Sequence, residues 1–334
     1  MALIPPPQSH TVDAIYAAYA ATRARSWEGL GISISDLGNE CDRAVWYALR
    51  WAAPQEVITG LKAITFETGE IEEERLLNSL RMIGCEVEAV DPFTGKQVRV
   101  SAVFGFVRGK IDGKVLGLPE APKTWHVVEC KSAGDKYYKA VAKAQSVREG
   151  YFSHWVQLNT YLHLLGFERG LYMLRNKNTG EIYCERVETD HDAAIRMLAN
   201  AERIVAMHEP PAKLHTNPKA KTAFKCGFCR FKGICHEGAF PRVNCRTCLH
   251  ATAERLENAT ISCARWVKPL TPDEQREGCG AHLYLPALVP GELLDADEDA
   301  ETVTYKLKDG STWVDGSGKP RVADEAVVLE DVAA

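Results

Sequence analysis

The sequence contains no apolar run approaching 18 residues, so no transmembrane helix is expected. Its opening, MALIPPPQSH, lacks a basic stretch leading into an apolar one, so no secretory signal is expected either. There is no internal repeat, which sets aside a solenoid. Positive charge is not in excess: the formal net charge of −5 argues against a general basic coat for nucleic acid. That charge is unevenly spread. Residues 291–334 carry 12 acids and 4 bases, a net of −8, which leaves +3 on the rest of the chain.

What is present is a chain of 334 residues, 46% hydrophobic, long enough for one large domain or two smaller ones. Eleven cysteines in a chain without a secretion signal suggest metal before disulfides. Residues 11–30 are Ala-rich and read as helix. ISDLGNECDRAVWYALRW reads as a helix entered from a turn, and FETGEIEEERLLNSLRMIG as a second, stopped by Gly84. Strand-like segments follow: CEVEAV, KQVRVSA, GFVRGKIDGKVLGL and TWHVVECKS. YFSHWVQLNTYLHLLG is an apolar helix, RGLYMLRNKNTGEIYCERVE a hairpin, and DAAIRMLANAERIVAMHE an amphipathic helix. Beyond Cys226 cysteines crowd together and periodicity fades, so metal is the expected staple.

Chemistry concentrates where strands end. Asp112 in GKIDGKV and Glu129 and Lys131 in HVVECKS sit on two strands about 17 residues apart. Two carboxylates meeting at adjacent strand ends make a hard oxygen site suited to Mg²⁺ or Mn²⁺. A period of two puts Glu129 and Lys131 on one face and turns Cys130 into apolar packing, with its carbonyl left as a possible ligand. Lys131 can then orient or polarise a water, which suits phosphodiester hydrolysis. Glu73 lies four residues after Gly69 on the preceding helix. Gln157 and Tyr161, at i and i+4, share one face of theirs.

In this order the motifs resemble the PD-(D/E)xK nucleases, in the RecB-like and phage exonuclease-like branch. The literal PD is absent, since Ile111 precedes Asp112. The resemblance spans roughly residues 30–240 and implies an α/β (α+β) fold with a mixed central sheet flanked by helices. It implies Asp112, Glu129 and Cys130 as metal ligands, Glu73 approaching them, and Gln157 and Tyr161 bordering the site and a DNA strand. CGFCRFKGIC supplies Cys226, Cys229 and Cys235, one thiolate short of four. In the iron–sulfur branch, which includes the CRISPR-adaptation nuclease, a cysteine ahead of the core completes a [4Fe–4S] cluster. Cys41 stands in that place; zinc is the competing occupant.

A second group, Cys245, Cys248, Cys263 and Cys279, reads as a small structural Zn²⁺ site, with His282 or His250 as possible substitutes for one thiolate. The two groups are expected to be independent, so that Cys245→Ser affects zinc alone. Cys85, Cys130 and Cys184 read as core residues. The expected organisation is a helical arm (1–29), a nuclease core with its cluster (30–240), a Cys-rich module (241–290) and an acidic, partly disordered tail (291–334) holding one hairpin.

The resemblance implies a metal-dependent DNA nuclease, an exonuclease or flap-cutting enzyme of phage or bacterial recombination, replication or repair. It would work in the cytoplasm on single strands or duplex ends, with a recombination or replication protein as a possible partner. Lys110, Lys114, Lys136, Lys139 and Arg148 would meet phosphates. The rivals are a non-catalytic DNA- or partner-binding protein on the same fold and a redox regulator that uses the cluster.

Overall fold

The structure, a computed structural model, describes residues 9–23 and 29–316. It is a mixed α+β architecture. The chain forms two compact units, one of Met1–Glu28, Gln55–Val98 and Lys110–Thr189, the other of Gly29–Pro54, Arg99–Gly109 and Asp190–Ala334. Each unit is assembled from separate stretches of the chain. Hydrophobic periodicity marks an element without saying which core it joins.

In the first unit five strands make a mixed sheet: β1 (Glu86–Glu88), β2 (Gly113–Leu116), β3 (His126–Ala133), β4 (Arg169–Asn176) and β5 (Ile182–Glu188), in that spatial order. Only β3 and β4 are parallel, with Val127 opposite Gly170 and Ala133 opposite Asn176. A parallel pair needs a crossover rather than a tight turn. Its helices are α3 (Asp135–Ala144), α4 (Val147–Gly150) and α5 (Phe152–Leu165), preceded in the chain by α1 (His10–Thr22) and α2 (Gly60–Met82). The β4–β5 turn holds Gly180 at φ 82°, where a side chain would be strained.

The Thr59 hydroxyl caps α2 by accepting from the Lys62 N–H at 3.3 Å. Leu76, Leu77 and Leu80 of α2 pack on Val115, Val128, Cys130, Leu171 and Met173. Cys85 joins this core as expected, but Cys184 is exposed on the edge strand β5. With Val128 and Cys130 facing α2, alternation sends Glu129 and Lys131 to the opposite face of β3. The long strand-like segment 105–118 is broken into Val107–Lys110 and β2, and Asp112 sits at the break.

In the second unit, helices Asp42–Leu49 and His191–Ala206 pack together, and the Trp46 indole donates to the Met207 carbonyl at 3.0 Å. Three short antiparallel strands lie in the Cys-rich region: Ala251–Ala253, Ile261–Cys263 and Lys268–Leu270. The expected tail is folded as far as residue 316. Gly291–Asp297, Thr302–Leu307 and Thr312–Asp315 form an antiparallel meander, with Val303 and Tyr305 packed on Leu283, Tyr284 and Val289. Glu292, Asp295 and Asp297 stand on the exposed first strand, while the second strand supplies Val303 and Tyr305 to the core. Residues 317–334 of the expected tail lie outside the described residues.

Candidate active site

Asp112 and Glu129 meet because β2 and β3 are neighbours and the chain bends into β2 just after Asp112. The Asp112 Oδ2 accepts the Cys130 N–H at 2.8 Å, which fixes the carboxylate against β3. Glu129 is fully buried. The Lys131 ammonium pairs with its Oε1, and its Oε2 has no hydrogen-bond partner among the described residues. A buried, incompletely paired carboxylate is costly.

Glu73 reaches the same place from α2. Its neighbours Glu70, Glu72 and Glu74 are engaged elsewhere, by Arg23, by Arg75 and Arg175, and by Arg81. Glu73 instead accepts from the Gln97 amide at 3.0 Å, and the Gln97 carbonyl oxygen accepts from Lys110 at 2.6 Å. Gln97 was not singled out from sequence. Nothing in KQVRV distinguishes it from an ordinary polar residue before a strand.

The three carboxylates disturb one another. Burial pushes Glu129 up to about 8, against the pull of Lys131 and with added repulsion from Asp112 and Glu73. Burial and the Asp112 charge raise Glu73 to about 7, although Lys110, Lys131 and Gln97 oppose this. Asp112 is also raised, by burial first, despite Lys131, the Cys130 N–H and Lys110. Burial alone lowers the Lys131 pKa, but Glu129 and Asp112 outweigh it and hold the ammonium above the ordinary lysine range. The site therefore holds protons on its carboxyl groups at neutral pH, protons that a divalent cation would displace.

Gln157 and Tyr161 of α5 are buried beside these groups. Burial raises the Tyr161 hydroxyl, and the Glu129 charge adds to that, while its hydrogen bond from Gln157 opposes both. His154, also unanticipated, hydrogen-bonds the Tyr172 hydroxyl at 2.7 Å, and Tyr172 is the β4 residue opposite Glu129. Burial, then Lys131, lowers His154 to about 3, so its ring is neutral. Tyr151 stacks on it at 3.9 Å, and exposed Tyr137 meets Tyr151 edge-on at 5.8 Å. An aromatic series thus runs outward from the carboxylates. Of the expected phosphate contacts, Lys114 pairs with Glu88 and Lys139 with Asp135, both at 2.5 Å. Lys136 lies over the Tyr137 ring and Arg148 over Trp155.

The second unit collects both cysteine groups. Cys41 precedes helix Asp42–Leu49, in its N-cap position, and Cys226 lies in Phe224–Gly227. Lys225 pairs with Glu40 at 2.7 Å, which ties together the residues just before these two cysteines. Burial pushes the Cys229 thiol up. The Phe231 N–H opposes this, and the neighbouring Cys41, Cys235 and Cys226 reinforce it. Cys235 is raised by burial, with Arg43 and Lys213 opposing and Cys41 and Cys226 adding. Cys245, Cys248, Cys263 and Cys279 line one cavity of about 230 Å³. His282 borders it but is buried, with Nε2 3.2 Å from the Thr247 hydroxyl and its ring edge-on to Tyr284 at 4.7 Å. Among the described residues, no group of three or more His, Cys, Asp or Glu side chains is arranged so that it could hold a metal ion as it stands. What each set offers is proximity, burial and donor chemistry.

No protein-family model matches the chain, and no curated protein matches it. Among solved structures, it is similar to SSO0001, at 16% identity and a TM-score of 0.41 over 68% of this chain and 97% of that one. It is similar to LHK-Exo in complex with dAMP, at 14% identity and a TM-score of 0.38 over 58% and 91%. It is also similar to the alkaline exonuclease LHK-Exo from Laribacter hongkongensis, at 14% and 0.34 over 57% and 91%. No described helix is long and apolar enough to cross a membrane.

Proposed function

We propose that this chain is a divalent-metal-dependent nuclease that hydrolyses DNA phosphodiester bonds, at ends or in single-stranded flaps. The observation that carries this reading is the convergence of Glu73, Asp112 and Glu129 on Lys131, with Glu129 fully buried and Asp112 fixed by the Cys130 N–H. Asp112, Glu129 and the Cys130 carbonyl would hold Mg²⁺ or Mn²⁺, with Glu73 assisting; two or three protein ligands suit an ion that keeps several waters. The ion would lower the pKa of water and neutralise phosphate charge.

The chain's own groups do the rest. The Lys131 ammonium stays charged at working pH and can hold the attacking water or a phosphate oxygen. Gln97 fixes Glu73 and couples it to Lys110. Gln157 and Tyr161 lie buried beside the carboxylates. Tyr137 and Tyr151 offer aromatic faces on which bases of an unpaired strand can stack, about 1–3 kcal/mol per base. Exposed pairs such as Lys139–Asp135 are weak enough to exchange for phosphate.

Cys41, Cys226, Cys229 and Cys235 would hold a [4Fe–4S] cluster, whose usual ligand set is four thiolates. The Glu40–Lys225 pair and the Phe231 N–H directed at the Cys229 sulfur support it. A place in phage or bacterial recombination, replication or repair, with a partner protein there, belongs to the same proposal.

The test is cleavage of 5′- and 3′-labelled single- and double-stranded DNA by anaerobically purified full-length protein with Mg²⁺ or Mn²⁺. Metal-dependent shortening is expected, and its loss in Asp112→Ala. Equal cleavage by the wild type and Asp112→Ala would refute the assignment.

A further inference from the structure

The knuckle Cys245–Cys248 carries a buried arginine that reaches far from the thiols. Arg246 donates from Nη1 to the Leu49 carbonyl at 2.8 Å and from Nη2 to the Leu30 carbonyl at 2.9 Å. Its Nε donates to Gln275 at 2.9 Å, and its guanidinium lies 4.0 Å over the Trp51 ring. Two further bonds run to the same segment. The Asn244 amide donates to the Trp51 carbonyl at 3.2 Å, and the Arg242 N–H to the Ala52 carbonyl at 2.8 Å. Leu49 is the last residue of helix Asp42–Leu49, where carbonyls lack intrahelical partners and cations are favoured. Trp51, just beyond, has φ 49°, a left-handed conformation that a bulky residue keeps only when its surroundings impose it.

We propose that Cys245, Cys248, Cys263 and Cys279 bind one structural Zn²⁺, and that this ion, by fixing the knuckle, makes Arg246 a clamp on segment 30–52. The four thiols come from three places: the 3₁₀ turn Cys245–Thr247 with Cys248, the end of strand Ile261–Cys263, and the loop after helix Pro272–Glu277. They line one cavity, and three of them are buried. The region around them has only strands of three residues, so closing it needs a cross-link that its own apolar burial does not supply. Binding releases the thiol protons as the four Zn–S bonds form, and the Cys245 thiol gives up its contact with the Glu274 carbonyl at 3.4 Å.

The clamp has a consequence at the far end of the same helix. Arg246 holds its C-terminus and Cys41 forms its N-cap, eight residues or about 12 Å apart. The two cysteine groups are therefore linked mechanically, against the expectation that they are independent.

Metal analysis of the full-length protein should give one zinc per chain, with zinc-edge X-ray absorption fitting four sulfurs at about 2.3 Å. Zinc should leave with Cys263→Ser and stay with Cys41→Ser. Chelator removal of zinc should raise amide exchange in residues 30–52 at least tenfold while leaving 126–133 unchanged, and added zinc should restore it. Arg246→Ala should keep zinc yet show the same fast exchange at 30–52. Zinc lost with Cys41→Ser instead, a nitrogen in the shell, or unchanged exchange in Arg246→Ala would overturn the proposal. If Cys263→Ser does not fold, chelation and Arg246→Ala still decide it.

Discussion

Replacing Glu129 by Gln removes an ionisable carboxyl from a buried place that disfavours its charged form. In buffer without Mg²⁺ or Mn²⁺ this should stabilise the protein, by an amount that grows as pH rises from about 5 to about 8 and then levels. The folded state raises Glu129 from 4.5 to about 8. It therefore keeps a proton that the unfolded chain releases between those values, and wild-type stability falls as pH rises through that window. The ceiling is about 5 kcal/mol, at about 1.4 kcal/mol per tenfold change in proton affinity. Because Asp112, Glu73 and Lys131 titrate together with it, about 1–3 kcal/mol is expected to be realised. For a unit of about 150 residues this is a gain of roughly 3–10 °C in Tm at pH 8.5. At pH 5, where Glu129 is already neutral, the two proteins should melt within about a degree. The assay is thermal unfolding from pH 5 to 9, with cleavage measured in parallel. The variant should lose cleavage even where it gains stability. A gain equal at every pH, or a loss at pH 8.5, would refute the idea that burial holds a proton on Glu129.

Metal affinity should rise with pH to about 8 and then level, because Glu73 and Glu129 must shed protons to bind; calorimetric Mn²⁺ titrations at several pH values check this. Lys131→Ala should cut the cleavage rate by about 10²-fold or more while DNA binding falls little, a split read by single-turnover kinetics beside filter binding. Gln97→Ala removes the hydrogen bond that lowers the Glu73 pKa, so the pH profile of Mn²⁺ affinity should move upward. Leu77→Ala, in the α2 contact with the sheet, should cost about 2–5 kcal/mol in denaturant unfolding and lower cleavage only through lost folded protein.

Local pattern by itself determined most of the elements. Alternation along HVVECKS gave the face shared by Glu129 and Lys131, and packing of Val128 and Cys130 on α2 agrees with it. The i, i+4 spacing of Gln157 and Tyr161 gave their common face, and Gly84 marked the end of α2. These rest on interactions within a turn or a pleat, which a single segment carries in its own residues. Only the tertiary structure decided the rest, because it depends on which distant segments share a core. It chose Glu73 over three neighbouring glutamates by pairing those with arginines and leaving Glu73 to Gln97. It folded an acidic segment into a meander by supplying Leu283 and Tyr284 for Val303 and Tyr305 to cover. It brought the segment holding Cys41 beside that holding Cys226, through Glu40 and Lys225, across a loop whose closure cost grows only with the logarithm of its length. And it carried Arg246 to the end of a helix some two hundred residues earlier, where an unpaired carbonyl at Leu49 gave the guanidinium its partner.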